Sequence, residues 1–227
     1  DIPREGRRAI FEANISTLAK LHNADDEAIE LGDFGKPGNY FSRQISRWTK
    51  QYQMSETQSI DTMNKLIDWL PGNIPDDDAN SIVHGDFRLD NMVLHADKPE
   101  VLAVLDWELS TLGHPLGDFT YHLMQWFMPS EGASTQTLEG VDFDALNIPD
   151  AAEYTRLYCE HTERDSIENM DFYIAYNMFR LAGILQGIVG RVRDGTASNE
   201  HAALMEDRVK PLSDVAWFYA QKAGAVG

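Results

Sequence analysis

The sequence predicts a mainly helical α+β fold with one small β insertion near the middle of the chain. Three observations predict it. Apolar residues recur at helical spacing before and after residues 81–105, short β-type runs fill that stretch, and Pro71-Gly72 marks the change of pattern.

The elements follow in order. Arg4–His22 reads as an amphipathic helix, with Ile10, Phe11, Leu18 and Leu21 near one face. A connecting loop with Gly32, Gly35, Pro37 and Gly38 comes next. Tyr40–Tyr52 carries Phe41, Ile45, Trp48 and Tyr52 at helical spacing. Ser55-Glu56-Thr57-Gln58 has the form of a capping box, opening a helix whose stripe is Ile60, Met63, Ile67 and Leu70. Ser81–Val83 is short and β-like. Met92–His95 and Glu100–Leu105 are apolar runs joined by Ala96-Asp97-Lys98-Pro99, the pattern of a β-hairpin. Helical periodicity returns over Asp118–Phe127, Ala151–Thr162, Glu168–Val192 and Glu200–Lys222, and Pro129–Pro149 reads as an irregular surface loop. Trp48, Trp69, Trp126 and Trp217 are expected in the core or between packed elements. The simplest account is one helical domain over residues 1–227 wrapped around the β insertion.

Bulk properties narrow the function classes. The 227 residues are 43% hydrophobic and 25% charged, ordinary for a globular chain. No window approaches about eighteen uninterrupted apolar residues, so a membrane span is not expected. Net charge is −18, which disfavours nucleic acid as a partner because phosphate binding needs clustered Lys and Arg. It predicts a solvated surface, with attraction for a cationic substrate as the sharper reading. Cys159 is the single cysteine and has no internal disulfide partner, so a reducing cytoplasm is the default location. The start at Asp1-Ile2-Pro3, without Met or a signal pattern, reads as that of an excised fragment.

The chemistry concentrates in Ile82-Val83-His84-Gly85-Asp86-Phe87-Arg88-Leu89-Asp90-Asn91 and in Leu105-Asp106-Trp107-Glu108. Asp86 follows a short strand, and Asn91 precedes the next, so both side chains reach one small volume. A hairpin returns to its starting end, which brings Asp106 back beside Asn91. An Asn amide oxygen and an Asp carboxylate are hard oxygen ligands of the kind Mg²⁺ prefers, and Mg²⁺ takes its remaining ligands from water and phosphates. Asp86 is then free to accept the proton of an attacking hydroxyl. The plain alternative for these three residues is capping and turn chemistry. Two other patterns fail. Gly32-Asp33-Phe34-Gly35-Lys36-Pro37-Gly38 lacks the P-loop form, since Glu30 holds the first Gly position and Pro37 the Ser/Thr position. A metal-hydrolase reading of His84 and Asp86 lacks a second His at short spacing.

His84-Gly85-Asp86 through Asn91, with Asp106, resembles the catalytic loop and metal Asp of the aminoglycoside phosphotransferase and choline kinase family. That family is similar to the protein kinases, whose loop reads His-Arg-Asp with Asn at the same interval. Tyr40-Phe41-Ser42-Arg43-Gln44-Ile45-Ser46-Arg47-Trp48, together with the His84–Asn91 and Leu105–Gly113 stretches, is similar to the kinase-like half of acyl-CoA dehydrogenase family members 10 and 11 and their bacterial relatives. The resemblance covers nearly the whole chain and implies the large C-terminal lobe of a protein-kinase-like fold. It implies ATP and Mg²⁺ as cofactors, with Asp86 as catalytic base and Asn91 and Asp106 as metal ligands. Arg88 is implied to clamp the γ-phosphate, a surface salt bridge being the alternative. Val93 is implied to lie beneath the adenine, and Glu108 to act near the metal. His84 is expected to hold the loop by hydrogen bonds. Asp118, after Pro115-Leu116-Gly117, is expected to brace the loop from below, to cap a helix, or to do both.

The stretch before His84 shows no Gly-rich hairpin and no strand resembling Val-Ala-Ile-Lys. The N-terminal nucleotide-binding lobe is therefore expected to be missing, leaving a fragment that is inactive alone and an apolar face that favours a homodimer. The expected activity is transfer of the γ-phosphoryl group to a small-molecule hydroxyl: a hydroxylated acyl-CoA from the nearest resemblance, or an aminoglycoside, choline or other amino alcohol from the wider family. A catalytically silent binding or scaffolding module is the second reading. A protein kinase is disfavoured, because Pro115-Leu116-Gly117-Asp118 follows Asp106 without room for a long activation loop.

Overall fold

The computed structural model describes residues 2–130, 137–196 and 200–226. The helices are α1 (Arg4–His22), α2 (Tyr40–Ser55), α3 (Asp61–Trp69), α4 (Pro115–Leu123), α5 (Phe143–Leu146), α6 (Ala151–His161), α7 (Met170–Arg193) and α8 (Glu206–Lys222). The strands are β1 (Ser81–Val83), β2 (Met92–Leu94), β3 (Val101–Val104) and β4 (Thr111–Gly113). Among the described residues no helix is long and apolar enough to cross a membrane. The described chain falls into two compact units, where the sequence suggested one domain.

The first unit holds residues 1–38, 78–126 and 140–168, and so α1, the four strands, α4, α5 and α6. Its core is aromatic. Phe119 stacks on Tyr158 at 4.1 Å, Trp126 stacks on Tyr154 at 4.7 Å, and Phe11 meets both Trp126 and Tyr154 edge-on. Each such pair adds about 1 kcal/mol beyond the area it buries. The strands form two nested antiparallel pairs. The outer pair is β1 with β4, a partner the sequence did not suggest, in the register Val83↔Thr111. The inner pair is the expected hairpin β2–β3, in the register Met92↔Val104, with a slip between Val93 and Leu94. Both connections, 84–91 and 105–110, therefore start and finish at paired positions and lie at the same end of the strands.

The second unit holds residues 39–77, 127–139 and 169–227, with α2, α3, α7 and α8. The long α7 packs on α2 and α8, and α3 packs on α8. Phe41 is the centre of an aromatic cluster with Tyr40, Phe172, Tyr173 and Tyr176, all within 5.9 Å between ring centres.

Several boundaries differ from the sequence reading. Ser55 opens no capping box. It ends α2, its hydroxyl turned back on the Gln51 carbonyl at 2.6 Å, and α3 begins at Asp61 without a side-chain cap. Asp118 is not an N-cap either. His114 caps α4 by accepting the Leu116 amide at 3.2 Å, with Pro115 in the first turn. Of the loop expected over Pro129–Pro149, residues 131–136 lie outside the described residues, and α5 occupies part of the rest, capped by Asp142.

The α2–α7 contact passes through glycines of α7. A Cβ at Gly187 would meet only the swinging amide end of Gln51, at 2.8 Å. A Cβ at Gly190 would stand 2.6 Å from Ser55 Cβ and 3.1 Å from Ser55 Cα, so the helices would have to part. Alanine gains about 1 kcal/mol of helix propensity over glycine, whereas overpacking costs about 1–3 kcal/mol. Gly190→Ala is expected to lower the urea midpoint and Gly187→Ala to leave it unchanged or raise it. Equal midpoints would contradict this contact.

Candidate active site

The first connection begins at His84, which is fully buried. Its Nε2 lies 2.8 Å from the Leu105 carbonyl, and its Nδ1 accepts the Asp86 amide at 3.2 Å. Those partners require the neutral tautomer protonated on Nε2. The ring thus ties the first connection to the second, and it packs against Trp107 at 4.8 Å. Gly85 has φ +86°, and a Cβ there would meet the Leu109 carbonyl oxygen at 2.7 Å, so only glycine fits.

Asp118, on α4, lies under this turn and is 1% exposed. Its carboxylate accepts the His84 amide at 2.6 Å and the Gly85 amide at 2.9 Å. His22 Nε2 stands 3.5 Å away, and its Nδ1 meets the Tyr158 hydroxyl at 2.7 Å. Burial pushes the Asp118 carboxyl up, but His22 and the two amides outweigh it and hold the group below the ordinary 3.8. His22 went unnoticed in the sequence, because its partners lie 96 and 136 residues away and helical spacing does not mark it.

Asp86 and Asn91 touch. Asn91 Nδ2 donates to the Asp86 carbonyl at 2.8 Å and to the Asp86 carboxylate at 3.1 Å. Both protons of the amide nitrogen are thereby used, and Asn91 Oδ1 remains as the available ligand atom. The Leu105 amide donates to the Asn91 carbonyl at 2.8 Å, which sets Asp106 one residue from Asn91's backbone partner. Asp106 adopts φ +65°, ψ +55°, a left-handed conformation that is uncommon outside glycine and often stored at functional positions.

The remaining candidates are less tightly held. Arg88 is half-buried and pairs with Asp90 at 3.1 Å, while its Nε is buried without a hydrogen-bond partner. Glu108 is exposed on the 3-10 turn Trp107–Leu109, and no described interaction ties it to Asn91 or Asp106. Val93 is 40% exposed on β2, and Leu102, Leu105, Trp107 and Leu109 are exposed as well. Among the described residues no three of His, Cys, Asp and Glu gather into a ready metal cage. An Asn–Asp pair offers two oxygens and leaves the other positions to water and phosphate, the manner in which Mg²⁺ is usually bound.

The model of the phosphotransferase enzyme family matches residues 2–157. The chain belongs to that family. The resemblance read from the His84–Asn91 and Leu105–Gly113 stretches is borne out, as is the mainly helical, protein-kinase-like fold. A crystal structure from Ralstonia eutropha JMP134, provisionally described as an aminoglycoside phosphotransferase, is 52% identical with a TM-score of 0.92, and the match covers 97% of this chain and 67% of that one. Acyl-CoA dehydrogenase family member 10 of Mus musculus is 43% identical over 218 residues, covering 96% of this chain. The chain spans only 20% of that relative's length. Macrolide 2'-phosphotransferase type I, at 14% identity and a TM-score of 0.58 over 92% of this chain and 60% of its own, shares the fold alone.

Because the folded Asp118 carboxyl titrates below its unfolded value, its contribution is complete above about pH 4 and fades as pH falls through the folded value. Asp118→Asn keeps the shape but presents an N–H to one of the loop amides. It is expected to cost about 2–3 kcal/mol at neutral pH, with the deficit shrinking in acid. A deficit independent of pH in urea titrations would show that the charge is not what holds the loop.

Proposed function

We propose that the chain carries the base and metal-ligand part of an ATP-dependent phosphotransferase that acts on a small-molecule hydroxyl. The observation that carries this reading is the Asp86–Asn91 pair, locked by hydrogen bonds and joined through Leu105 to a left-handed Asp106. Asp86 takes the proton of the acceptor hydroxyl as its oxygen attacks the γ-phosphorus. The bond from that phosphorus to the bridging oxygen breaks, and ADP leaves with the electron pair. Asn91 Oδ1 and the Asp106 carboxylate would hold Mg²⁺, which would neutralise phosphate oxygens. Glu108, exposed two residues after Asp106, would act near the metal. Arg88, whose Nε is buried without a hydrogen-bond partner while its Nη2 pairs with Asp90, would clamp the transferred phosphoryl group. The exposed Val93 side chain takes the adenine face.

We assign residues 1–227 to the large lobe of this enzyme. Among the described residues the strands are β1–β4, and none forms a Gly-rich cover or carries a lysine paired with a helix Glu. Binding by this chain alone should therefore be weak. Calorimetry is expected to give ATP affinity weaker than micromolar, and micromolar binding would contradict the assignment.

The relatives named as acyl-CoA dehydrogenase family members support a hydroxylated acyl-CoA as acceptor, and the aminoglycoside and choline kinase types support an aminoglycoside or amino alcohol. ADP release across these three classes, followed in a protein that carries both lobes, identifies the acceptor. In that protein Asp86→Asn is expected to lower kcat by about 10²–10⁴ while nucleotide binding persists. Unchanged turnover would favour the alternative, a silent binding module.

A further inference from the structure

Three helices of the first unit send polar side chains into its core that meet one another. Helix α1 gives Asn14 and His22, α4 gives Asp118 and His122, and α6 gives Tyr154 and Tyr158. Within α4 and α6 the two are four residues apart, so they lie on one face, a turn apart. They sort into two layers. His22, Asp118 and Tyr158 form the layer beneath the His84–Gly85 turn. Asn14, His122 and Tyr154 form another, which the chemistry assigned above does not use.

The second layer is dry, with Asn14 and Tyr154 fully buried and His122 1% exposed. Tyr154 donates its hydroxyl proton to Asn14 Oδ1 at 2.8 Å, and its oxygen lies 3.0 Å from His122 Nε2. A hydroxyl has one proton, so His122 Nε2 is the donor to the tyrosine oxygen. Asn14 Nδ2 then donates to Met92 Sδ at 3.1 Å. The chain thus runs from His122 through Tyr154 and Asn14 to the residue directly after Asn91. At its other end the His122 ring packs edge-on to Phe87, 5.8 Å away and fully buried between Asp86 and Arg88. Burial lowers His122 to about 4, against the opposing effects of the Phe87 backbone and the Asp118 charge, so the ring is neutral across the physiological range.

The hairpin has reason to need such an anchor. Strand β2 is three residues long, and its pairing slips between Val93 and Leu94. A slip of one residue turns every side chain to the opposite face. Met92 and Asn91 are neighbours, so whatever fixes the Met92 side chain also fixes the face to which Asn91 points. Buried polar networks commonly add little net stability over a well-packed apolar core, and are better at specifying one arrangement.

We propose that Asn14, Tyr154 and His122 are positioning residues for the candidate metal site: through Met92 and Phe87 they hold Asn91 turned toward Asp86. This rests on the assignment of Asn91 and Asp106 as the metal pair. The test uses Tyr154→Phe and Asn14→Leu, near-isosteric changes that cut the chain at different links, with Ile15→Val as a core control on the same helix. Three quantities are read: the Asn91 side-chain amide signals by NMR without metal, the Mn²⁺ affinity by electron paramagnetic resonance with ADP present, and the thermal midpoint. Both network variants are expected to move the Asn91 signals and to weaken Mn²⁺ binding about 10-fold, and the control to lower the midpoint alone. Unmoved Asn91 signals and unchanged Mn²⁺ affinity in both variants would overturn the proposal and leave the metal assignment standing. A wild-type chain in which Mn²⁺ broadens neither Asn91 nor Asp106 would remove the metal assignment, and the proposal with it.

Discussion

The buried Asp118 carboxylate accepts amide protons from two consecutive residues, His84 and Gly85, at 2.6 and 2.9 Å. Two successive amides point the same way only when the backbone between them turns sharply, and Gly85 at φ +86° supplies that turn. The carboxylate and the glycine thus specify one conformation together. The charge would be expensive in the core by itself, and the amides with His22 offset that cost. Once the turn is set, the direction of Asp86 follows, because the Asp86 amide is held by the His84 ring and the ring is held by the Leu105 carbonyl.

The nested strand pairs extend this constraint to the second connection. Val83↔Thr111 closes the outer pair and Met92↔Val104 the inner one, so residues 84–91 and 105–110 are short spans between fixed ends. Short spans with fixed ends can store strain. Gly85 leaves no room for a Cβ beside the Leu109 carbonyl, and Asp106 is left-handed, a conformation that an aspartate tolerates better than most residues do. These two positions lie one in each of the connections that His84 links.

Much of this was legible in the sequence. Helix α1, the β2–β3 hairpin and the placing of Asp86, Asn91 and Asp106 at one end of it follow from local periodicity and from the rule that a hairpin returns to its start. What stayed hidden is non-local. Strand β4 is three residues at Thr111–Gly113 and has β character only as the partner of Ser81–Val83. His22, Asn14, Tyr154 and Tyr158 look like ordinary helix positions until α1 and α6 bring them together around α4. Ser55 misleads because its hydroxyl serves equally well to close one helix or to open the next, and only the carbonyls of Gln51 and Tyr52 decide between them. The division into two units is hidden for a similar reason: α2 and α3 pack with α7 and α8, more than a hundred residues further on.

Burial divides the site into two kinds of group. The supporting side chains are dry, with His84 and Asn14 fully buried and Asp118 and His122 at 1%. The reacting candidates are wet, with Asp86 and Asn91 half-buried and Asp106 and Glu108 exposed. Carboxylates left in water keep their charge at little cost, which suits groups that must accept a proton or bind a cation. Their geometry must then be imposed from behind, since solvent fixes no direction. In a chain of net charge −18, carboxylates facing outward repel a nucleotide until a divalent cation reverses the local sign. Under the proposed assignment, nucleotide binding depends on metal first and on the acidic surface second, and the dry polar layers would keep the ligand oxygens in place as the metal arrives and leaves.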